Sequence, residues 1–167
     1  LIGNKAGNVC VTWQIGSCVD GAQISDFFIM AQGTWITSTW PGDGYASLTG
    51  TSMAAPVVAG AIAVLHQMWP HMKGRDLVAL VLQTGDKNIS GYAPHIHGQG
   101  LLDMNSATQP VGATGLPVSG RTAGDISQPS GGMSFGAMPA GLQAAFAQVM
   151  VLDSFERDFY VDLGAHI

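Results

Sequence analysis

Charge is scarce in this 167-residue chain: Asp, Glu, Lys and Arg together make up 10% of it. An ordinary globular domain carries roughly 25%. So little charge implies a chain that buries much of its surface, or one cut from a larger body. The 6 Lys and Arg residues are scattered singly. No basic stripe forms, so nucleic-acid binding has no support. The net charge of −5 favours solubility and implies little else. Long apolar runs are lacking as well. The longest, Met53 to Leu65, contains Pro56 and Gly60, and it falls short of the ~18 residues a spanning helix needs. No signal-peptide pattern opens the chain, which starts at Leu1 rather than Met; processing or truncation is the expected reason. There are only 2 cysteines, Cys10 and Cys18. Without histidines beside them they make no zinc site. In an oxidising compartment they would close a local disulfide around VTWQIGS; otherwise they are free thiols.

What is present is 47% hydrophobic, enough for one domain with a buried core. A short VCVTW strand lies in the Gly-, Asn- and Ser-punctuated first 25 residues. DFFIMA, Asp26 to Ala31, reads as a compact apolar strand. Trp35, Thr37 and Thr39 alternate with Ile36, Ser38 and Trp40, as in a strand with one buried face. PGDG then turns the chain, and Ala46 to Leu48 forms a short strand. A helix is expected from about Thr51 to Trp69, apolar almost all round and therefore buried. Pro56 fits it only in the first turn. A second helix runs from about Gly74 to Thr84, with Leu77, Leu80 and Val81 as its apolar stripe. HGQGLLDMNSAT reads as a turn, a short strand and a helix starting near Asp103. Residues 110–141 are rich in Gly, Pro, Ser and Ala and read as a linker or arm. The tail, residues 142–167, alternates and carries aromatics, so it is β-rich.

Ser52 stands at the seam between GTS and the apolar helix. First-turn N–H groups have no intrahelical partner, and the helix dipole adds partial positive charge there. A serine oxygen attacking a carbonyl would generate an oxyanion near the serine's own N–H. Gly50 would let the loop approach a substrate backbone closely. Against this, Ser52 or Thr51 as a simple N-cap explains the same placement. Spacing alone favours the cap, and the context is not a GxSxG elbow, because Ala54 follows.

GTSMAAPVVAG, Gly50 to Gly60, resembles the serine signature of the subtilisin-like serine proteases, the subtilases. IMAQGTWITSTWPGDGYASLTGTS resembles the family's approach strand, and GQGLLDMNSAT the segment that closes its catalytic domain. The resemblance covers roughly Asn4 to Gln109. It implies an α/β fold, the subtilisin-like three-layer sandwich with a mostly parallel sheet, of which residues 1–109 are the C-terminal part. An extended C-terminal arm follows. It also implies that Ser52 is the nucleophile and that its N–H is one oxyanion donor. Thr51 would support that hole, Gly50 would border it, and Leu48 and Thr49 would line the leaving-group side. Met53 would be an oxidation-prone neighbour. Val57 replaces a common histidine that does no chemistry, and Gln32 stands where proline is usual.

A serine needs a base, and the base needs a carboxylate. In subtilases both precede the serine, as does an oxyanion Asn. No histidine precedes Ser52, and Asp20, Asp26 and Asp43 sit in neither a DTG nor a DSG setting. Asn4 and Asn8 lack the family's Gly-Asn setting. His97–Gly98 has a superficial likeness to HGT but falls in the closing segment. His95 reads as a loop residue, and His66 and His71 as residues flanking a helix end. Asp153–Ser154 is followed by Phe155, and Asp153 reads as a strand-edge residue. The expectation is a secreted or bacterial cell-surface serine endopeptidase whose Asp and His lie in an N-terminal part outside this chain. The rival is an inactive subtilase-like scaffold or a self-cleaved fragment. The arm and tail also fit the lead-in to an outer-membrane barrel, as in autotransporter-type surface subtilases. No cofactor is evident. Calcium is common in the family, but no complete acidic ligand loop is present.

Overall fold

A computed structural model of the chain describes residues 13–14, 17–18, 24–117 and 149–162. Cys10 and the Gly/Pro/Ser-rich stretch beyond Pro117 lie outside them, as does the expected disulfide. The chain divides into two units, Leu1–Thr108 and Gln109–Ile167.

In the first unit, β1 (Trp13–Gln14) pairs with β2 (Ser17–Cys18) as a minimal antiparallel ladder. Where an apolar strand is expected, Ile24–Phe27 instead forms a 3-10 turn. Only the following residues run extended: Gln99 N–H donates to the Phe28 carbonyl at 2.7 Å, and Met30 N–H to the Gly100 carbonyl at 2.8 Å. Leu101 then bridges Met30 in parallel and Asp86 antiparallel. An added Cβ on Gly100, at φ +107°, would lie 2.4 Å from the Asp86 oxygen, so this crossing needs glycine.

The alternating segment forms a hairpin, β3 (Ile36–Trp40) with β4 (Gly44–Leu48), whose register pairs Ile36 with Leu48 and Trp40 with Gly44. The Thr37 and Ser47 hydroxyls meet across it at 2.6 Å. The expected buried face is only partly covered: Ile36, Gly44 and Ala46 are half-buried and the other strand residues exposed.

The long helix, α1, spans Thr51–Met68. Pro56 lies in its second turn rather than its first, so it brings no N–H to the Ser52 carbonyl one turn back. The expectation that α1 is buried all round is not met. Ala61 and Leu65 are its buried residues, while Val57, Val64 and Met68 are exposed. The cover comes from one side, where α2 (Gly74–Gln83) packs with Leu77, Leu80 and Val81 buried. Trp69 and Met72 fill the corner between the two helices.

Two short helices follow, α3 (Pro94–His97) and α4 (Met104–Ala107). Asp103 caps α4: its Oδ1 accepts from Asn105 N–H at 2.9 Å and Ser106 N–H at 3.1 Å. Its Oδ2 accepts from the Ser106 hydroxyl at 2.6 Å. That hydroxyl, with the amides, holds the Asp103 carboxyl below its ordinary value of 3.8. A lowered carboxyl stabilises the fold above its ordinary value and loses that contribution as pH falls through its folded value. Asp103→Ala is therefore expected to cost about 1 kcal/mol at neutral pH. The gap from wild type should close in acid unfolding below pH 3.8, as urea titrations at several pH values would read.

The mostly parallel sheet of a three-layer sandwich is not seen among the described residues. They hold three two-stranded antiparallel pairs, and the Met30–Leu101 bridge is their parallel pairing.

The second unit is built on a hairpin, β5 (Val149–Leu152) with β6 (Asp158–Val161). Leu152 also bridges Gly115, so the tail does find a partner. Asp153, expected at a strand edge, is instead fully buried with Arg157.

Candidate active site

The helix starts differently from the capping alternative. Gly50 is the N-cap, with extended backbone and no side-chain cap. Thr51 and Ser52 are the first two residues inside the helix, and both are exposed. Among the described residues, neither the hydroxyl nor the amide of Ser52 has a hydrogen-bond partner. A small hydroxyl and, among the described residues, an unspent N–H donor thus sit together where the helix dipole is positive. Leu48, Thr49 and Gly50 lead into them as one continuous stretch from the end of β4.

A close approach within the chain occurs beside this loop, at Gly33. Gly50 N–H donates to the Gly33 carbonyl at 2.8 Å. A Cβ on Gly33 would come 2.5 Å from the Gly50 oxygen and 3.1 Å from the Ala54 Cβ. On Gly50 it would meet nothing nearer than the Met53 sulfur at 3.7 Å. Gly33→Ala is expected to destabilise the fold by roughly 1–3 kcal/mol, because backbone must move to admit the methyl. Gly50→Ala is expected to leave the unfolding midpoint near wild type. Thermal unfolding of both variants checks the contrast.

Trp35 is the second feature the sequence concealed. Its φ is +54°, left-handed backbone that a bulky residue rarely adopts. Such a conformation costs of order 1–3 kcal/mol and persists only where the surroundings impose it. Here its N–H donates to Thr49 Oγ1 at 2.9 Å.

The described histidines are poorly placed to serve Ser52. His66 is in the last turn of α1, about 21 Å further along the axis at 1.5 Å per residue. His71 lies beyond that helix. His97 Nδ1 accepts from Ala93 N–H at 3.0 Å, and its ring stacks on Tyr92 with centroids 5.9 Å apart. It therefore caps its own turn. His95 is an exposed residue of α3. No group of three or more His, Cys, Asp or Glu side chains among the described residues is arranged for a metal ion.

Comparison with known proteins agrees with the serine loop and helix. The subtilase (peptidase S8) family model matches residues 6–100. The chain belongs to the subtilase family. It is 39% identical over 81 residues to Subtilisin BL of Lederbergia lenta, covering 48% of this chain and 29% of that protein. The Alkaline protease of Alkalihalobacillus alcalophilus is also 39% identical over 81 residues, covering 48% and 20%. An Intracellular serine protease of Paenibacillus polymyxa matches at 39% over 84 residues, covering 48% and 26%. Among solved structures, the CspB protease of Clostridium perfringens matches at 28% identity and a TM-score of 0.39, over 45% of this chain and 18% of that one. The chain thus spans less than a third of the length of these curated relatives. By length and composition α1 could cross a membrane, but it lies wholly within the matched region. It reads as a helix of the protease domain.

Proposed function

We propose that this chain is the serine-bearing C-terminal part of a serine endopeptidase that cleaves peptide bonds through an acyl-enzyme on Ser52. Ser52 Oγ attacks the scissile carbonyl while a histidine outside this chain takes the hydroxyl proton. An aspartate, also outside it, orients that histidine. The Ser52 N–H and an asparagine side chain from the same missing part hold the oxyanion. The C–N bond then breaks, the histidine returns its proton to the leaving amine, and water later releases the acyl group. Thr51 supports the oxyanion hole, Gly50 gives the substrate backbone room, and Leu48 and Thr49 border the leaving group.

The observation that carries this reading is the exposed Ser52 at the start of α1, whose hydroxyl and amide have no hydrogen-bond partner among the described residues. A residue serving only as a cap would have spent its oxygen on a first-turn amide.

The substrate is a peptide or protein, and the essential partner is the N-terminal part carrying Asp and His. The setting is secreted or bacterial cell-surface, where Cys10 and Cys18 would close a local disulfide. The arm and β-rich tail are compatible with an outer-membrane barrel downstream. The rival, a subtilase-like scaffold without catalysis or a self-cleaved fragment, draws on the lack of any histidine before Ser52. One experiment separates them. The intact parent protein is treated with a fluorophosphonate probe and the label mapped by peptide sequencing. Label on Ser52 supports the endopeptidase; an intact parent that leaves Ser52 unlabelled sinks it.

A further inference from the structure

We propose that Trp35 is a specificity-determining residue of this site, receiving substrate side chains beyond the scissile bond and selecting apolar or aromatic ones. The proposal rests on the reading of Ser52 as nucleophile with Leu48 and Thr49 on the leaving-group side.

Three observations converge on Trp35. Its backbone is left-handed, at φ +54°. Its side chain is 76% exposed. Burial therefore does not offset the strain: the ring is turned to solvent instead of being packed away. A residue that must be left-handed is ordinarily Gly, Asn or Asp, so a tryptophan there calls for a use of its ring.

The loop holding that ring is tied to the serine loop at two points. Trp35 N–H donates to Thr49 Oγ1 at 2.9 Å. Gly50 N–H donates to the Gly33 carbonyl at 2.8 Å. Thr49 and Gly50 are the residues immediately before Thr51 and Ser52, so Trp35 is fixed to the backbone that presents the nucleophile. Thr49 is itself on the leaving-group side, which sets the side of the substrate Trp35 meets.

The chemistry of an anchored indole defines the partner. Its flat apolar face stacks on aromatic or aliphatic side chains, and its single N–H can donate to a peptide carbonyl. It offers no acceptor and no charge, so it has nothing for an Asp side chain, and a Lys could meet it only over the ring face. An indole has only two side-chain torsions to fix, so it loses little entropy on binding. The hairpin continues the same character away from the serine, with Leu48 40%, Trp40 53% and Tyr45 78% exposed. The occupant that fits is an extended polypeptide substrate, carrying an apolar or aromatic residue shortly after the cleaved bond.

The test uses the full parent protein and peptides identical up to the scissile bond. Beyond it they carry Phe, Leu or Ser at each of the next positions in turn. Wild type is expected to prefer Phe or Leu at one of them. Trp35→Asn keeps a residue tolerant of left-handed backbone and removes the ring. It is expected to lower kcat/KM for the preferred peptides roughly tenfold and for the Ser peptides far less. Trp35→Tyr should restore part of the preference. Fluorophosphonate labelling of Ser52 should proceed at the wild-type rate in both variants, since the probe places no residue on the leaving-group side. An equal loss on all peptides, or no change with labelling intact, overturns the role of Trp35 while leaving Ser52 as nucleophile. Absence of any preference in wild type overturns it whatever the variants do. A wild type that takes no label removes the nucleophile and this role together.

Discussion

Ser52→Ala in the parent protein is expected to abolish fluorophosphonate labelling and to lower kcat for peptide hydrolysis by about six powers of ten. That is the scale of loss when a subtilisin-type triad loses its serine. The size follows from what is removed. The other hydroxyl at the start of α1 belongs to Thr51, which the proposed mechanism assigns to the oxyanion hole, so covalent catalysis has no substitute atom. KM should change little, because Leu48, Thr49 and the hairpin remain to bind substrate in ground and transition states alike. Residual hydrolysis above the background rate would come from oxyanion donors still in place. Thermal stability should be near wild type, since the exposed Ser52 hydroxyl bonds nothing among the described residues. A scaffold protein would show no activity for the substitution to remove. Peptide hydrolysis by matched wild-type and Ser52→Ala protein therefore separates the two readings on a scale no folding defect mimics.

The second large effect is expected at the buried pair in the unit Gln109–Ile167. Asp153 and Arg157 are both fully buried and meet at 2.6 Å. Asp153 Oδ2 also accepts from Arg157 Nε and from Val111 N–H, both at 3.0 Å. Its Oδ1 accepts from the amides of Phe155 at 2.9 Å and Arg157 at 3.0 Å. The guanidinium donates onward to the Gln109 carbonyl at 2.8 Å and lies 5.2 Å from the centre of the Phe159 ring. Removing one partner strands a buried charge, which costs about 3–5 kcal/mol. Asp153→Ala should be the worse of the two single changes. It takes the carboxylate from the guanidinium and the acceptor from three backbone amides, whereas Arg157→Met leaves the carboxylate still holding those amides. Limited proteolysis of the parent should show new cuts near residues 109–115 and 149–162 in both variants, earlier in Asp153→Ala. Equal resistance to wild type would mean that the pair does not hold this unit together.

Legibility followed the range of the forces involved. The start of α1 at Thr51, the stripe of α2 and the Asp103 cap all rest on local chemistry. Each could be read from periodicity, small residues and a side-chain oxygen one turn from its amides. The serine loop was readable as a pattern, and the family match agrees with it. Three things were not readable. The covering of α1 depends on neighbours distant in sequence, and here α2 supplies one side of it. Asp153 reads as a strand-edge residue in sequence, because the partners that enclose it and Arg157 include Val111 and Gln109, more than forty residues away. Trp35 was read as one member of an alternating strand. Alternation carries no signal that a bulky residue will take a left-handed backbone.

The contact that ties Trp35 to Thr49 spans 14 residues, and the hairpin between them closes on itself. Segments of such low contact order assemble quickly, ahead of pairings that must gather distant chain. The loop that carries Ser52 is therefore set to form early in folding.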